Sequence, residues 1–337
     1  MKEKIIIVSL NGDDCSGGVE RVVYYLKNIL SEKYDVSVMK RNGKPGKLDK
    51  IIFPLLFSFR LLFKNKSLII SNSWQSFLYP ADFSIHHGTS GGYMLHAGIK
   101  SKKTAFLAWM EKISAKRAKT VIAVSENCRR ELVELYGIPP VKIYVLNNFV
   151  DERLFYPQET EKNNKIKILF SGRLENRKGL SDLISLANSI ELNDNCQLMI
   201  AVNSKENCES FVNYKNTVIS AHLDIKSMRE FYNSGDVFYF PTKYEGFSMS
   251  TLEALACGIP VVGTGFAIPE EIRSYDFVHL TEDGNAENIV KIIEKMKNDF
   301  YNKHSEIHGI IAKDFGTEQY KLKLYNLIDR GNNICRQ

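Results

Sequence analysis

Two glutamates lie close together in a segment whose other residues are mostly small or apolar. The segment YEGFSMSTLEALACGIPVV, residues 244–262, carries Glu245 and Glu253 with seven residues between them. Paired carboxylates could serve as general acid and base, as they do in glycoside hydrolysis. The plainer explanation for Glu253 is favourable charge placement at a helix start, which is worth about 0.3–1 kcal/mol. Neighbouring motifs decide between these interpretations.

The glutamates are predicted to flank the start of a helix. The pattern predicts a strand and a loop, followed by a helix that begins near Ser248–Ser250 and ends at Gly258. Glu245 then lies in the loop and Glu253 in the first turns. The free amides at such a helix start point at an anion, as in other phosphate sites.

Two cations follow another predicted strand, in ILFSGRLENRKGL. Arg173 and Lys178 come just after Gly172, at the end of the apolar run. Arginine can grip phosphate oxygens with a bidentate fork, and lysine acts as a point charge. As isolated surface charges they would mean little, but together they suit a diphosphate.

Two glycine-containing turns follow strands nearer the start of the chain. In NGDDCSGGVERVV, Gly17 and Gly18 precede a helix and predict close approach of an anion, although an ordinary turn is the alternative. In SIHHGTSGGY, either His86 or His87 faces the ligand edge, and His87 is favoured because Gly88 follows it. A metal site would need a third ligand, and none is evident, so we expect no metal and no cofactor.

These motifs sit on two series of alternating strands and helices. Such alternation predicts parallel sheets covered on both faces, with ligands outside the carboxyl ends of the strands. Strands are expected at 67–73, 81–87, 119–125 and 142–148, and again at 165–174, 197–202, 216–221, 236–242 and 259–264. The polar segment 151–165 predicts a linker, so the fold class is α/β with two Rossmann-like domains.

Composition agrees with a globular protein of two domains. The 337 residues are 44% hydrophobic and 25% charged, with a net charge of +6 that favours anionic partners. We expect no nucleic-acid partner, because no zinc finger, aromatic RNA-binding box or arginine-rich arm is present. The six cysteines show neither a CxxC pair nor zinc-ligand spacing, and no apolar run is long enough to span a membrane, so a cytoplasmic location is predicted.

One basic and apolar segment stands out, residues 40–66. It contains eight Lys or Arg residues and a single acid, Asp49. Leu55, Phe59, Leu62 and Phe63 fall at helical spacing on one face. This pattern suits either packing in the domain core or an amphipathic helix on an anionic membrane.

Taken together, these motifs resemble the retaining glycosyltransferases of family 4, with their Glu-x7-Glu signature. The resemblance also covers SGGVERVV, VIAVSENCRREL, VLNNFVDERLF and REFYNSGDVFYFPT, and so nearly the whole chain. It implies the GT-B fold, in which two Rossmann-like parallel sheets face a central cleft. The implied divisions are an acceptor domain at 1–155, a nucleotide-sugar domain at 165–312, and a C-terminal helix at 313–337 that packs back on the first domain.

The resemblance also implies roles for the residues. Glu245 should bind hydroxyls of the donor sugar, Glu253 the nucleotide ribose, and Arg173 and Lys178 the diphosphate, while His87 should lie near the transferred sugar. These residues other than Glu253 are the expected catalytic group. The other expected substrate contacts, many through backbone groups, are Gly17, Gly18, His86, Asn148, Gly172, Gly246, Phe247, Ser248, Met249, Ser250, Thr251 and Leu252.

The implied reaction is metal-independent transfer, with retention of configuration, from a nucleotide-diphosphate sugar. A UDP-sugar donor and a glycan or lipid-linked acceptor are expected, in bacterial cell-surface polysaccharide, capsule or lipopolysaccharide synthesis. The expected location is cytoplasmic, peripheral on the inner face of the membrane through 40–66. A nucleotide-sugar epimerase and a non-catalytic binding subunit remain alternatives. A nicotinamide-dependent dehydrogenase fits less well, because the GxGxxG fingerprint is missing.

Overall fold

The protein consists of two compact units, seen here in a computed structural model. The structure describes residues 2–13, 17–41, 46, 49–63, 67–159, 165–191, 195–281 and 285–335. The first unit comprises Met1–Asn148 and Lys321–Gln337, and the second comprises Phe149–Tyr320. The segment predicted to link two domains therefore lies within the second unit.

The first unit is built on a six-stranded parallel sheet. Its strands are β1 (Lys4–Val8), β2 (Asp35–Met39), β3 (Ser67–Asn72), β4 (Phe83–His86), β5 (Thr120–Ala123) and β6 (Ile143–Val145). They lie in the order β2-β1-β3-β4-β5-β6. The described helices that begin in this part of the chain are α1 (Gly18–Ser31), α2 (Asp49–Leu61), α3 (Ser90–His96), α4 (Lys102–Arg117) and α5 (Glu126–Glu134). Beta-branched and apolar residues fill the central strands, because helices cover both faces of such a sheet.

The second unit repeats this plan. Its strands are β7 (Ile166–Ser171), β8 (Cys196–Val202), β9 (Thr217–Ala221), β10 (Val237–Phe240), β11 (Val261–Thr264) and β12 (Val278–Thr281). All pair in parallel, in the order β12-β11-β10-β7-β8-β9. Its described helices are α6 (Leu180–Glu191), α7 (Ile225–Asn233), α8 (Met249–Ala256), α9 (Glu270–Arg273), α10 (Ala286–Phe300) and α11 (His304–Phe315). A further helix, α12 (Thr317–Cys335), begins in the second unit, and its residues from Lys321 onward belong to the first.

The predicted α/β class with two parallel sheets is confirmed. Sequence reasoning missed only one strand of the second sheet, β12. This strand lies at the sheet edge, where His279 and Leu280 are exposed. Half of its side chains therefore lack the continuous apolar character by which buried parallel strands are recognised.

The start of the last helix is held by hydrogen bonds to residues 150–152. The helix α12 begins at Thr317, whose amide donates to Glu152 Oε2 at 2.9 Å. The Thr317 hydroxyl donates to the Val150 carbonyl at 3.4 Å. Later in α12, Tyr325 donates its hydroxyl to the Ile29 carbonyl of α1 at 2.7 Å. No described helix is both long and apolar enough to cross a bilayer.

Two histidine side chains of α11 contact backbone carbonyls at the carboxyl end of α8. His304 Nδ1 lies 2.9 Å from the Gly258 carbonyl, and His308 Nδ1 lies 2.6 Å from that of Ala256. Gly258 has φ of +80° and ends the helix in the left-handed conformation. A Cβ at residue 258 would lie 2.5 Å from backbone atoms of His304, so only glycine fits there.

Replacing this glycine tests the packing of α11 on α8. We expect Gly258→Ala to lower the free energy of unfolding by about 2 kcal/mol or more, because it combines backbone strain with a clash. Gly309→Ala is the matched control, since nothing lies near a Cβ at that exposed helical position. It should stabilise the protein by about 0.5–1 kcal/mol. Urea unfolding followed by circular dichroism measures both, and equal effects of the two substitutions would contradict the assignment.

Candidate functional site

The centre of the second unit's site is an ion-pair cluster at the carboxyl ends of β7 and β10. A 3-10 turn at Asn176–Lys178 follows β7, and Glu245 lies in the loop after β10. Lys178 Nζ hydrogen-bonds to Glu245 Oε2. Both side chains are largely buried, 14% exposed for Lys178 and 24% for Glu245. The structure thus brings together two of the predicted catalytic residues.

Arg173, the other predicted phosphate ligand, lies at the rim of this cluster. Its side chain is 64% exposed, and Nη2 lies 3.3 Å from Glu175 Oε1. The preceding Gly172 donates its amide to the Ala201 carbonyl at 3.0 Å, so this amide is already bonded within the sheet. The exposed Arg173 side chain can therefore reach a ligand, whereas the Gly172 amide is already hydrogen-bonded.

Sequence reasoning missed the most extensively bonded cation of the cluster, Arg177. Its Nη1 lies 3.3 Å from Glu245 Oε2 and 3.1 Å from the Tyr244 carbonyl. Its Nη2 donates to Glu175 Oε1 at 3.1 Å. Arg177 is adjacent to Lys178 after the end of the strand, and this adjacency could have identified it. Only Lys178 is assigned a role from the sequence alone.

The cluster keeps its carboxylate ionised. Burial alone would raise the pKa of Glu245, but the neighbouring Lys178 and Arg177 outweigh it and hold the pKa below its ordinary value. Burial lowers the pKa of Lys178, a shift that Glu245 opposes. With three cations and two carboxylates, the group Arg173, Arg177, Lys178, Glu175 and Glu245 carries one net positive charge, which favours an anionic ligand.

The start of α8 supplies backbone donors beside Glu245. Ser248 is the N-cap, as expected for a serine at this position, and its Oγ accepts from the Thr251 amide at 3.2 Å. The Thr251 amide, one of the groups expected to contact the ligand, is thus engaged by the cap in this structure. The amides of Met249 and Ser250 have no hydrogen-bond partner among the described residues.

Several predicted substrate contacts in this segment point into the protein. Leu252 is fully buried, and Phe247 packs against Phe315 with ring centroids 5.7 Å apart. Gly246 is also buried. The side chains of Phe247 and Leu252 pack in the core, and Gly246 has none. These three residues can therefore contact a ligand only through backbone groups.

Glu253 is a buried carboxylate within α8. Its side chain is 3% exposed, and the Tyr232 hydroxyl donates to its Oε2 at 3.0 Å. The early position in the helix favours a negative charge. The predicted ribose contact of Glu253 would have to share or replace this bond.

The first unit places its predicted glycine turn beside an internal carboxylate. Gly17 is the N-cap of α1, and a Cβ there would lie 2.6 Å from Glu20 Oε2. Asn11 Nδ2 donates to the other Glu20 oxygen at 2.6 Å. Gly18 is exposed and has nothing near a Cβ. The helix start predicted to meet a phosphate is therefore already next to a negative charge.

The two histidines at the end of β4 have different environments. His86 is 0% exposed, and its Nε2 lies 3.1 Å from Ser84 Oγ, while no described residue bonds to its Nδ1. His87 is only partly buried. Burial lowers the pKa of His86 to about 3 and that of His87 to about 4, so both rings are neutral at pH 7. Asn148, a further predicted contact, is buried at the end of the first unit.

The glycine-rich loop after His87 is closed by side chains of the protein itself. The Ser90 amide donates to Glu111 Oε2 at 2.8 Å, and the Gly91 amide to the Tyr136 hydroxyl at 3.1 Å. A Cβ at Gly92 would lie 2.3 Å from the Glu131 carboxylate. The small size of Gly91 and Gly92 allows this close packing. Sequence patterns could not reveal these long-range partners.

One sizeable cavity lies away from these residues. It has a volume of about 700 Å³ and opens at the amino ends of β7 and β10, beside Lys167 and Asp236. Ligands of open parallel sheets bind at the carboxyl ends instead. Among the described residues, no group of three or more His, Cys, Asp or Glu side chains could hold a metal ion.

The buried His86 predicts a pH dependence of stability. Because its folded pKa is about 3 against an ordinary 6.5, the unfolded chain binds more protons between these values, and stability falls as pH decreases. From pH 8 to pH 5, wild type should lose about 2 kcal/mol more than His86→Asn. Urea unfolding at both pH values measures this difference. The exposed His279→Asn should retain the wild-type pH dependence, and the same loss in His86→Asn as in wild type would contradict the assignment.

The two halves of the chain match models of known protein families. Residues 16–154 match the model of glycosyltransferase family 4, and residues 152–309 match that of the group 1 glycosyl transferases. The matches together span both units.

Curated relatives are about a quarter identical to this chain over the aligned residues. A probable sucrose-phosphate synthase of Thermosipho melanesiensis is 26% identical over 66% of this chain and 57% of its own length. A 41.2 kDa protein of the cps region of Klebsiella pneumoniae is 26% identical over 94% of this chain and 83% of its own. The capsular polysaccharide biosynthesis glycosyltransferase CapM of Staphylococcus aureus is 26% identical over 60% and 58%. The alignments thus span less than two thirds of the first and third relatives.

Solved structures of known glycosyltransferases have the same fold. Sucrose-phosphate synthase of Thermosynechococcus elongatus superposes with a TM-score of 0.77 and 18% identity, over 98% of this chain and 99% of that one. HepE of Anabaena, solved in complex with UDP and glucose, gives a TM-score of 0.72 and 15% identity over 97% and 100%. The fold of this chain is therefore that of the GT-B glycosyltransferases.

Proposed function

The chain belongs to the superfamily of group 1 and family 4 glycosyltransferases, and we propose that it is a retaining, metal-independent hexosyltransferase. It moves a sugar from a UDP-sugar to a hydroxyl of a glycan or glycolipid acceptor, in bacterial cell-surface polysaccharide synthesis. The observation that carries the proposal is the cluster of Glu245, Lys178 and Arg177 beside the unbonded amides at the start of α8.

In this proposal, Arg173, Lys178 and the amides of Met249 and Ser250 bind the diphosphate. Cleavage of the anomeric C–O bond develops negative charge on the departing diphosphate and positive charge on the sugar. Fixed cations and amides near the phosphate stabilise that separated charge more than the ground state, and so accelerate transfer. The two side chains balance the diphosphate charge without a metal ion.

Glu245 in this scheme positions the donor sugar and does not attack it. Its carboxylate accepts hydrogen bonds from sugar hydroxyls, while its ion pairs make it a poor nucleophile. The acceptor hydroxyl attacks from the face that the diphosphate leaves, assisted by the leaving phosphate, which retains configuration. Glu253 holds the ribose, and His87 lies near the transferred sugar, with His86 as the competing assignment. Gly17 and Gly18 cover the donor phosphates or contact the acceptor.

Two comparisons support the choice of donor and pathway. HepE of Anabaena was solved with UDP and glucose, and CapM acts in capsular polysaccharide biosynthesis. These statements concern those proteins, but the net positive site described above suits the same class of diphosphate ligand.

A screen of nucleotide sugars tests the proposed function. A ligand that binds only the folded state raises the unfolding midpoint, so we expect UDP-sugars to raise it most. With the best donor and an acceptor, NMR of the product should show the anomeric configuration of the donor. Free epimerised nucleotide sugar formed without acceptor would indicate an epimerase, and binding without turnover would indicate a non-catalytic subunit.

Two substitutions test the assigned residues. Glu245→Ala and Lys178→Ala should each abolish transfer, because one removes the sugar contact and the other a charge on the leaving diphosphate. Product formation measured by mass spectrometry checks this, and far-ultraviolet circular dichroism should show a retained fold. Lys243→Ala, at an exposed neighbouring lysine, is the control expected to keep activity. Unchanged turnover in both site variants would rule out the assignment.

We further propose that the segment 40–66 contacts the membrane on its cytoplasmic face. Residues 42–45, 47, 48 and 64–66 of this segment lie outside the described part of the chain. In α2, Phe57 and Leu61 pack in the core. The side chains set at helical spacing on the other face are exposed instead: Leu55 by 43%, Phe59 by 61%, Leu62 by 67% and Phe63 by 71%. Exposed apolar side chains among basic residues suit an anionic lipid surface.

Vesicle binding tests this contact. Wild type should co-sediment with phosphatidylglycerol vesicles and much less with phosphatidylcholine. Combined Phe59→Ala, Leu62→Ala and Phe63→Ala should weaken the binding by roughly a hundredfold, because each side chain loses on the order of 1 kcal/mol of apolar burial. Val212→Ala, a similarly exposed apolar residue of the second unit, is the matched control. Indifference of the wild type to lipid charge would contradict the proposal.

A further inference from the structure

One carboxylate oxygen in the second unit is bonded to two cations that are adjacent in sequence. Glu245 Oε2 accepts from Lys178 Nζ and lies 3.3 Å from Arg177 Nη1. The proposed function, on which this inference rests, assigns Lys178 to the diphosphate and Glu245 to the sugar. Lys178 must then loosen its bond to Glu245 when the donor binds.

Arg177 is held in place independently of Lys178. Its Nη1 also donates to the Tyr244 carbonyl at 3.1 Å, and its Nη2 to Glu175 at 3.1 Å. Its own carbonyl accepts from the Lys243 amide at 2.9 Å. Arg177 is therefore tied to the loop that carries Glu245 both by its guanidinium and by its backbone carbonyl, and its side chain is only 19% exposed.

Loss of the lysine would leave a largely buried carboxylate in need of a partner. Removing one member of a buried ion pair is costly, because the remaining charge stays desolvated. A carboxylate in that situation tends to bind a proton instead. An arginine prevents this, since the guanidinium stays charged at any physiological pH and its fork can keep several bonds at once.

We propose that Arg177 is a positioning residue that keeps Glu245 ionised and in place while Lys178 exchanges from Glu245 to the donor diphosphate. The exchange requires two cations at Glu245 in the empty site and one in the loaded site. It makes the adjacency of Arg177 and Lys178 functional, because one remains on the sugar-binding carboxylate as the other moves to the leaving group.

Two other arginines near this loop have ion-pair partners of their own. Arg173 and Glu175 pair with each other on the β7 side. On the β11 side, where the Phe266 carbonyl accepts from the Glu245 amide at 3.3 Å, Arg273 pairs with Glu270 and donates to the Ile268 carbonyl. Glu245 therefore depends on Arg177 for its second ion pair.

Calorimetric titration with UDP tests the exchange in wild type, Arg177→Met, Arg177→Lys and the control Lys243→Met. The control removes the same charge from an exposed side chain next to Tyr244. Titrations in buffers of different ionisation enthalpy, from pH 5 to pH 8, report the protons taken up on binding. UDP titrates in this range as well, so each variant is compared with wild type at the same pH.

In Arg177→Met, UDP binding should take up an additional proton, of which Glu245 is the acceptor. Affinity at pH 8 should then be about tenfold or more below wild type, and the deficit should shrink as pH falls, by up to about tenfold per pH unit for one proton. Arg177→Lys should restore most of the affinity without proton uptake, and Lys243→Met should match wild type.

The possible outcomes distinguish failure of the Lys178 exchange from failure of the proposed function. Unchanged affinity and proton uptake in Arg177→Met would overturn the exchange while leaving the donor assignment intact. A uniform loss of affinity at every pH without proton uptake would also overturn it, since that result indicates a merely structural role. If wild type binds none of UDP, GDP and ADP, the proposed function falls, and the exchange falls with it.

Discussion

The ion pairs of Glu245 with Lys178 and Arg177 are the constraint on which the arrangement of the second unit's site depends. They form only because the turn after β7 passes very close to the loop after β10. Gly179 permits this approach: it has φ of +84°, and a Cβ there would lie 2.5 Å from the Pro241 carbonyl. Because β7 and β10 are paired neighbours in the sheet, the loops that follow them begin side by side. Backbone geometry thus delivers two cations to one carboxylate.

The carboxyl edge of the first unit's sheet is organised differently, by side chains that are buried and hydrogen-bonded to one another. The Glu111 carboxylate accepts from the Ser90 amide and hydroxyl, both at 2.8 Å, and from Tyr136 at 2.5 Å. Burial raises the pKa of Glu111, which these bonds oppose. Gly91 packs against Tyr136 and Gly92 against Glu131, so the start of α3 is closely packed. Residues 87–89 connect β4 to this helix.

The difference between the two edges explains what the sequence could predict. Buried parallel strands, the serine cap of α8 and the cations after β7 leave local signatures, because each depends on neighbours within a few residues. The role of Arg177 depends on a residue 68 positions away, and the closure of the glycine loop on residues 21 and 45 positions away. The hydrogen bond from the Thr251 amide to Ser248 could have been predicted locally, since a serine N-cap accepts from an amide two or three residues on. The edge strand β12 was missed because exposure on one side removes the apolar run.

The two edges also differ in electrostatic character, which bears on the proposed reaction. At the departing diphosphate, negative charge grows, and Arg173, Lys178 and the amides at the start of α8 are donors. At the sugar, positive charge grows, and a nearby imidazolium would oppose it by several kcal/mol at an effective dielectric constant of about 20. Burial keeps His86 and His87 neutral at pH 7, so either ring can accept a hydrogen bond without adding that repulsion. Positive charge is therefore concentrated at the described edge of the second unit, whereas the imidazoles at the edge of the first unit are neutral.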